Sequence, residues 1–146
     1  MPAPTNTQFS LAVHMLTLLG SRQGELVSSD FLSASAGTSP EHVRRVLAPL
    51  RRAGLVRSRP GPSGGWQLDH ASCDTTLGEI WRAVHGDDGV LGIHSAAPEC
   101  TVGQRIQSEL EEIERRAVEA LVAELDQVTL GQLVQETSGV VLSARI

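Results

Sequence analysis

The sequence predicts a mainly α-helical chain with one small β-hairpin, and two observations predict it. Apolar residues recur at helical spacing along most of the 146 residues. Only residues 55–68 alternate like a pair of strands, with a Gly- and Pro-rich turn, PGPSGG, between the arms. A hydrophobic content of 40% is ordinary for a packed globular domain.

The first helix is expected over residues 7–19, ending at Gly20, with Phe9, Ala12, Val13, Leu16 and Leu19 forming its stripe and His14 a satisfied core residue. Ser28 or Ser29 caps a short second helix that carries Phe31, Leu32 and Ala36 and stops at Gly37. Thr38-Ser39-Pro40-Glu41 then reads as another start: Ser39 caps, Pro40 suits the first helical position, and Glu41 suits the positive end of the dipole. That third helix runs to Gly54. Two helices joined by a three-residue turn containing Gly have the spacing of a helix-turn-helix. Pro49 lies inside the third helix, where it removes one hydrogen bond and is expected to kink the axis. The hairpin follows directly, so the whole reads as a winged helix, with Trp66 packing the wing onto the domain.

Charge gives this region its meaning. The chain has a net charge of -5, yet residues 38–68 gather six arginines, Arg44, Arg45, Arg51, Arg52, Arg57 and Arg59, against one acid, Glu41. On a helical wheel Val43, Val46, Leu47 and Leu50 fall within an arc of about 100°, and the four helix arginines within an arc of about 120° centred roughly 150° away. A charged helix face is usually just solvated, but such faces mix acids with bases, and this one is nearly all arginine. Guanidinium groups pair bidentately with phosphates and guanine edges, so nucleic-acid contact is the expected use. Gly64 and Gly65 allow close backbone approach at the wing.

Asp74 or Thr75 caps a fourth helix with Leu77, Ile80, Trp81 and Val84 turned inward. Residues 86–99 are irregular. The longest pattern spans residues 101–128: Ile106, Leu110, Ile113, Ala117, Leu121, Leu125 and Val128 step by three and four. Such a helix is roughly 40 Å long, more than a small domain covers, so part of its stripe is expected to meet a second chain. Ile106, Leu110, Ile113, Ala117 and Leu121 are the candidate dimer contacts. Thr129 caps a last short helix, able to fold back on the dimer, and residues 137–146 read as a tail. The divisions are residues 1–85 for the winged helix-turn-helix, 86–100 for a sensor or linker loop, 101–136 for dimerisation and 137–146 for the tail.

No apolar run is long enough to span a bilayer, and the amino terminus lacks a signal-peptide pattern, which points to a cytoplasmic protein. Cys73 and Cys100 make neither a disulfide framework nor a CxxC pair. Cys100 opens the long helix, where thiols react readily, and is the candidate sensor; a small structural residue, a mixed metal site with His94, Glu99 or His85, and a Cys73–Cys100 disulfide are the alternatives. A Cys100–His94 nucleophile pair lacks any third orienting group, so no catalytic residue is assigned. A winged helix used only for protein docking would explain the fold but not the arginine arc.

The segments FSLAVHMLTLL, SPEHVRRVLAPLRRAGLVRS, GPSGGWQL, TLGEIWRAV, CTVGQRI and VTLGQLV, in this order and spacing, resemble the IscR/NsrR/CymR-type (Rrf-two) family of winged-helix transcriptional regulators over roughly residues 7–136. The resemblance implies a homodimeric repressor on a palindromic DNA operator, its third helix in the major groove and its wing at the minor groove. Family base-reading positions fall on Glu41, Arg44 and Arg45, and phosphate-contact positions on Thr38 and Ser39. With these, the expected contact set comprises His42, Arg51, Arg52, Arg57, Arg59, Gly64 and Gly65. The usual wing Arg-Gly is Pro60-Gly61 here, with Arg59 one place earlier. Cluster-holding members carry three closely spaced cysteines before the long helix; this chain has only Cys100 there, so it resembles the branch without a complete ligand set, and no cofactor or metal is expected.

Overall fold

A computed structural model of the chain describes residues 7–143, with side chains as far as Gly139. Its elements in order are α1 (Gln8–Ser21), α2 (Ser29–Ala36), α3 (Pro40–Arg52), β1 (Val56–Arg59), β2 (Gly65–Leu68), a 3-10 turn (His70–Asp74), α4 (Leu77–His85), α5 (Thr101–Leu125) and α6 (Leu130–Ser143). The head formed by α1 to α4 and the hairpin holds the core. Every residue of the expected α3 stripe is at most 1% exposed. They meet Ala12, Met15, Leu16 and Leu19 of α1, Leu32 of α2, and Ile80 of α4. Burying a leucine of this kind contributes roughly 1.5–3 kcal/mol, which is why α3 is held by its packing despite an interior proline. The helix runs unbroken through Pro49.

Caps set the boundaries. The Ser28 hydroxyl accepts from the Phe31 N–H and the Ser39 hydroxyl from the His42 N–H, at 3.1 and 3.2 Å. Gly37, at φ 64°, turns the chain between α2 and α3 in a conformation that other residues adopt at a cost. β1 and β2 pair antiparallel, Val56 opposite Leu68 and Arg59 opposite Gly65. Alternation turns Val56, Trp66 and Leu68 inward and leaves Arg57 and Arg59 on the other face. A single bridge from Val27 to Trp66 extends the sheet.

Phe31 of α2 is 41% exposed and lies under the Arg22 guanidinium, 4.4 Å from the ring centre. Three expectations need correction. His14 is exposed, with its ring 3.2 Å from the Ser35 hydroxyl, so it is not a core residue. The cap of α4 is Thr76, because Glu79 three residues on completes a capping box; the Thr75 carbonyl is engaged by the Leu130 N–H instead. α5 stops at Leu125, three residues early, because the Val128 carbonyl and Thr129 leave the helix to pair with Leu77 and Thr76.

α6 begins at the expected Thr129 cap, whose hydroxyl accepts from the Gln132 N–H at 3.2 Å. It runs on to Ser143, through much of the segment read as a tail, and packs on its own α1 rather than along α5. Gly20 makes room for this: a Cβ there would stand 2.5 Å from a Val134 methyl.

Candidate nucleic-acid interface

The arginine arc is displayed outward. Arg44, Arg45, Arg51 and Arg52 are all exposed along the side of α3 opposite its buried stripe. A groove of about 490 Å³ separates α3 from the hairpin, lined by Arg44 and Arg51 on one wall, Ser58, Arg59, Gly64 and Gly65 on the other, and Ser28, Ser29 and Asp30 of the α2 start at its end. The structure therefore brings Arg44, Arg51, Arg59, Gly64 and Gly65 together. Arg45, Arg52 and Glu41 lie on the exposed shoulder of α3. Thr38 and His42 border a different hollow, beside His14 and Ser10.

Hydrogen bonds divide these arginines by role. Arg44 has one weak internal partner, Glu41 at 3.9 Å, and both side chains are more than half exposed. Arg45 Nη2 lies 3.3 Å from His42 Nδ1. Among the described residues Arg45, Arg51, Arg52 and Arg59 have no carboxylate partner. Arg51 instead donates to the Ser58 hydroxyl at 3.0 Å and stands 5.9 Å from the Trp66 ring centre. It braces the end of α3 against the wing. Trp66 in turn donates its indole N–H to the Ser29 hydroxyl at 3.0 Å, so wing, α2 and α3 form one unit. Arg57 differs: it is pinned to Asp69 through two nitrogens at 2.9 and 2.7 Å. The Ala71 N–H and Arg57 together hold the Asp69 carboxyl below the usual carboxylate range.

The wing glycines are required by sterics. A Cβ on Gly64 would collide with the Arg59 carbonyl, and one on Gly65, at φ 155°, would fall 2.6 Å from the Val27 carbonyl oxygen. Sequence reasoning missed the Arg51–Ser58 brace and the Arg57–Asp69 pair. The second was legible in principle, since Asp69 lies two residues past Gln67, the cross-strand partner of Arg57, within diagonal reach.

On α5, Ile106, Leu110, Ile113 and Leu121 are between 38% and 49% exposed, and Ala117 is exposed too. Val122 is the one buried α5 residue in the described chain. Cys100 caps this helix, its exposed Sγ accepting the Gly103 N–H at 3.3 Å.

A family model described as "Rrf2: Iron-dependent Transcriptional regulator" matches residues 5–136. The candidate HTH-type transcriptional regulator YwnA of Bacillus subtilis is 32% identical over 121 residues, covering 82% of this chain and 89% of its own. The HTH-type transcriptional regulator IscR of Vibrio atlanticus is 28% identical over 114 residues, covering 78% of this chain and 64% of its own. A candidate regulator from Lactobacillus plantarum superposes with a TM-score of 0.74 at 25% identity, over 95% of this chain and 91% of its own. CymR, the global cysteine regulator of B. subtilis, shares the fold with a TM-score of 0.65 at 24% identity, over 92% of this chain and 98% of its own. No helix among the described residues is long and apolar enough to cross a membrane.

The family description names iron, and the donors here do not fit it. Cys100 stands without a neighbouring cysteine, Cys73 is half-buried beside Gly131, and no group of three or more His, Cys, Asp or Glu among the described residues is placed to hold a metal ion.

Proposed function

The chain belongs to the Rrf2 family of transcriptional regulators, and from that premise we propose that it acts as a homodimeric, sequence-specific repressor on a palindromic DNA operator in the cytoplasm. The observation that carries this is the set of exposed arginines Arg45, Arg51, Arg52 and Arg59, which pair with no carboxylate among the described residues, together with Arg44, whose Glu41 partner stands 3.9 Å away. α3 enters the major groove with Glu41, Arg44 and Arg45 toward base edges, where arginine pairs with guanine O6 and N7 and a carboxylate accepts from cytosine N4. Thr38, Ser39, His42 and Arg52 reach phosphates; the Ser39 oxygen is engaged by the His42 N–H while its hydroxyl proton remains available to donate. Arg59, with Gly64 and Gly65 beside it, approaches the minor groove, and Arg51 holds the wing at the right distance. The exposed stripe of Ile106, Leu110, Ile113, Ala117 and Leu121 packs against its copy on a second chain. Cys100, exposed at the α5 cap, is the sensing thiol in this reading.

Selection of bound sequences from random DNA, with reduced and with oxidised protein, tests the proposal. The expected result is a two-fold symmetric site whose affinity falls with salt by about 0.9 log units per phosphate neutralised, together with weaker binding after oxidation that a Cys100→Ser variant does not show. Recovery of no common sequence overturns the regulator assignment, and equal binding before and after oxidation removes Cys100 as sensor.

A further inference from the structure

Reading an operator with two half-sites requires two heads held at one distance, and the chain joins each head to α5 at the corner where α4 meets the end of that helix, while Glu114 further along α5 accepts from the Val90 and Leu91 N–H groups of the connecting loop. The head's principal contact with α5 is through α4. At this corner Asp126, just past the end of α5, accepts two hydrogen bonds from Arg82 of α4, at 3.1 and 2.7 Å, and one from the Thr76 hydroxyl at 2.9 Å. Thr76 is the α4 cap, so one carboxylate grips both ends of α4. Gly78 lies beneath it; a Cβ there would collide with Asp126 Oδ1. Backbone pairing closes the corner, with Leu77 N–H donating to the Val128 carbonyl at 2.9 Å and Leu130 N–H to the Thr75 carbonyl at 2.8 Å. Hydrogen bonds from Arg82 and Thr76 hold the Asp126 carboxyl below the usual carboxylate range, so it stays ionised at neutral pH.

We infer that Asp126, with Arg82 and Thr76, is a positioning site that sets the angle between the reading head and the long helix, and so the spacing of the operator half-sites this protein accepts. The assignment rests on the dimer reading above. α5 is 25 residues long, about 37 Å at 1.5 Å per residue. A tilt of about 10° at the corner moves its far end by about 6 Å, close to two base pairs. The backbone pairs locate the corner, but they are a short hinge, and they leave the tilt of α4 on α5 to the side chains that span it. None of these residues touches DNA in this arrangement, so their effect falls on spacing and not on the base sequence of a half-site.

The test uses the full-length dimer and DNA carrying two fixed half-sites with spacers of varied length. Wild type is expected to prefer one spacer sharply. Asp126→Asn and Arg82→Gln are each expected to remain dimeric by sedimentation and to keep the half-site sequence preference. Each should bind the preferred spacer at least fivefold more weakly and spread over spacers one base pair longer and shorter. Arg82 is 55% exposed, so its variant decides the matter alone if Asp126→Asn loses the fold. Folded variants with the wild-type spacer profile overturn the inference and leave the regulator reading standing. A wild type that is monomeric, or indifferent to spacer length, overturns the inference together with the dimer reading it rests on.

Discussion

The arginines of α3 and those of α5 are all exposed, and their surroundings differ. On α5, Arg105 pairs with Glu109, Arg115 with Glu112 and Glu119, and Arg116 with Glu112. Among the described residues the only acid paired with an α3 arginine is Glu41, at the edge of ion-pair distance. The apolar residues are reversed in the same way: those of α3 are sealed in the core, while those of α5 lie open. A helix that neutralises its charges and exposes its apolar stripe is prepared for another apolar stripe. A helix that buries its apolar stripe and leaves its cations unanswered is prepared for an anion. The two faces thus point to different partners, protein for one and DNA for the other.

The most severe way to break this contrast is at the stripe. Ile113→Asp is expected to raise the dimer dissociation constant by at least about 100-fold, because each interface would bury an unpaired charge. Operator affinity should fall with it while thermal unfolding of the head is retained, which sedimentation and calorimetry can check. Next come Arg44→Ala and Arg45→Ala, each expected to weaken operator binding by about 1–3 kcal/mol and relax the preferred base at one position per half-site. If both variants bind operator and random DNA with the wild-type affinities, the base-reading assignment is wrong. Arg52→Ala is milder: affinity should drop alike on all sequences, and the salt slope should shrink by about 0.9 per site lost. Arg115→Gln on α5, by contrast, should leave operator affinity unchanged, since its partners are carboxylates of the same helix.

Acid sharpens the comparison further. Asp69 has a folded pKa below its unfolded value of 3.8, so its grip on Arg57 is complete above that value and is lost as pH falls through the depressed folded one. The stability difference between wild type and Asp69→Asn is therefore expected to be flat from about pH 5 upward and to close only in acid. A difference that already varies near neutrality would show that Asp69 is not held by this pair.

Much of the head was legible because its signals are local. Ser39 announces a helix start and the Ser28-Ser29 pair another, Gly37 a stop, and the four stripe residues of α3 a buried face. The expected arginine face is on the surface for the same reason: a period of 3.6 places it there once the stripe is buried. His14 and the end of α5 were misread because each is decided by neighbours distant in sequence. Ser35 lies beside His14, and the α4 start draws the Val128 carbonyl out of the helix. Arg57 was counted with the other arginines because nothing in its own strand reveals that Asp69 holds it.

By itself the sequence determined the order of the helices, the place of the hairpin, the cationic face and the long stripe, all consequences of spacing and capping within a few residues. Only the tertiary structure decided which arginines are answered by a carboxylate, that α6 lies on α1, and that Asp126 ties α5 to both ends of α4. These contacts join residues far apart in the chain, 44 and 50 positions apart at Asp126. Their geometry depends on how separate buried faces pack, which no local pattern encodes.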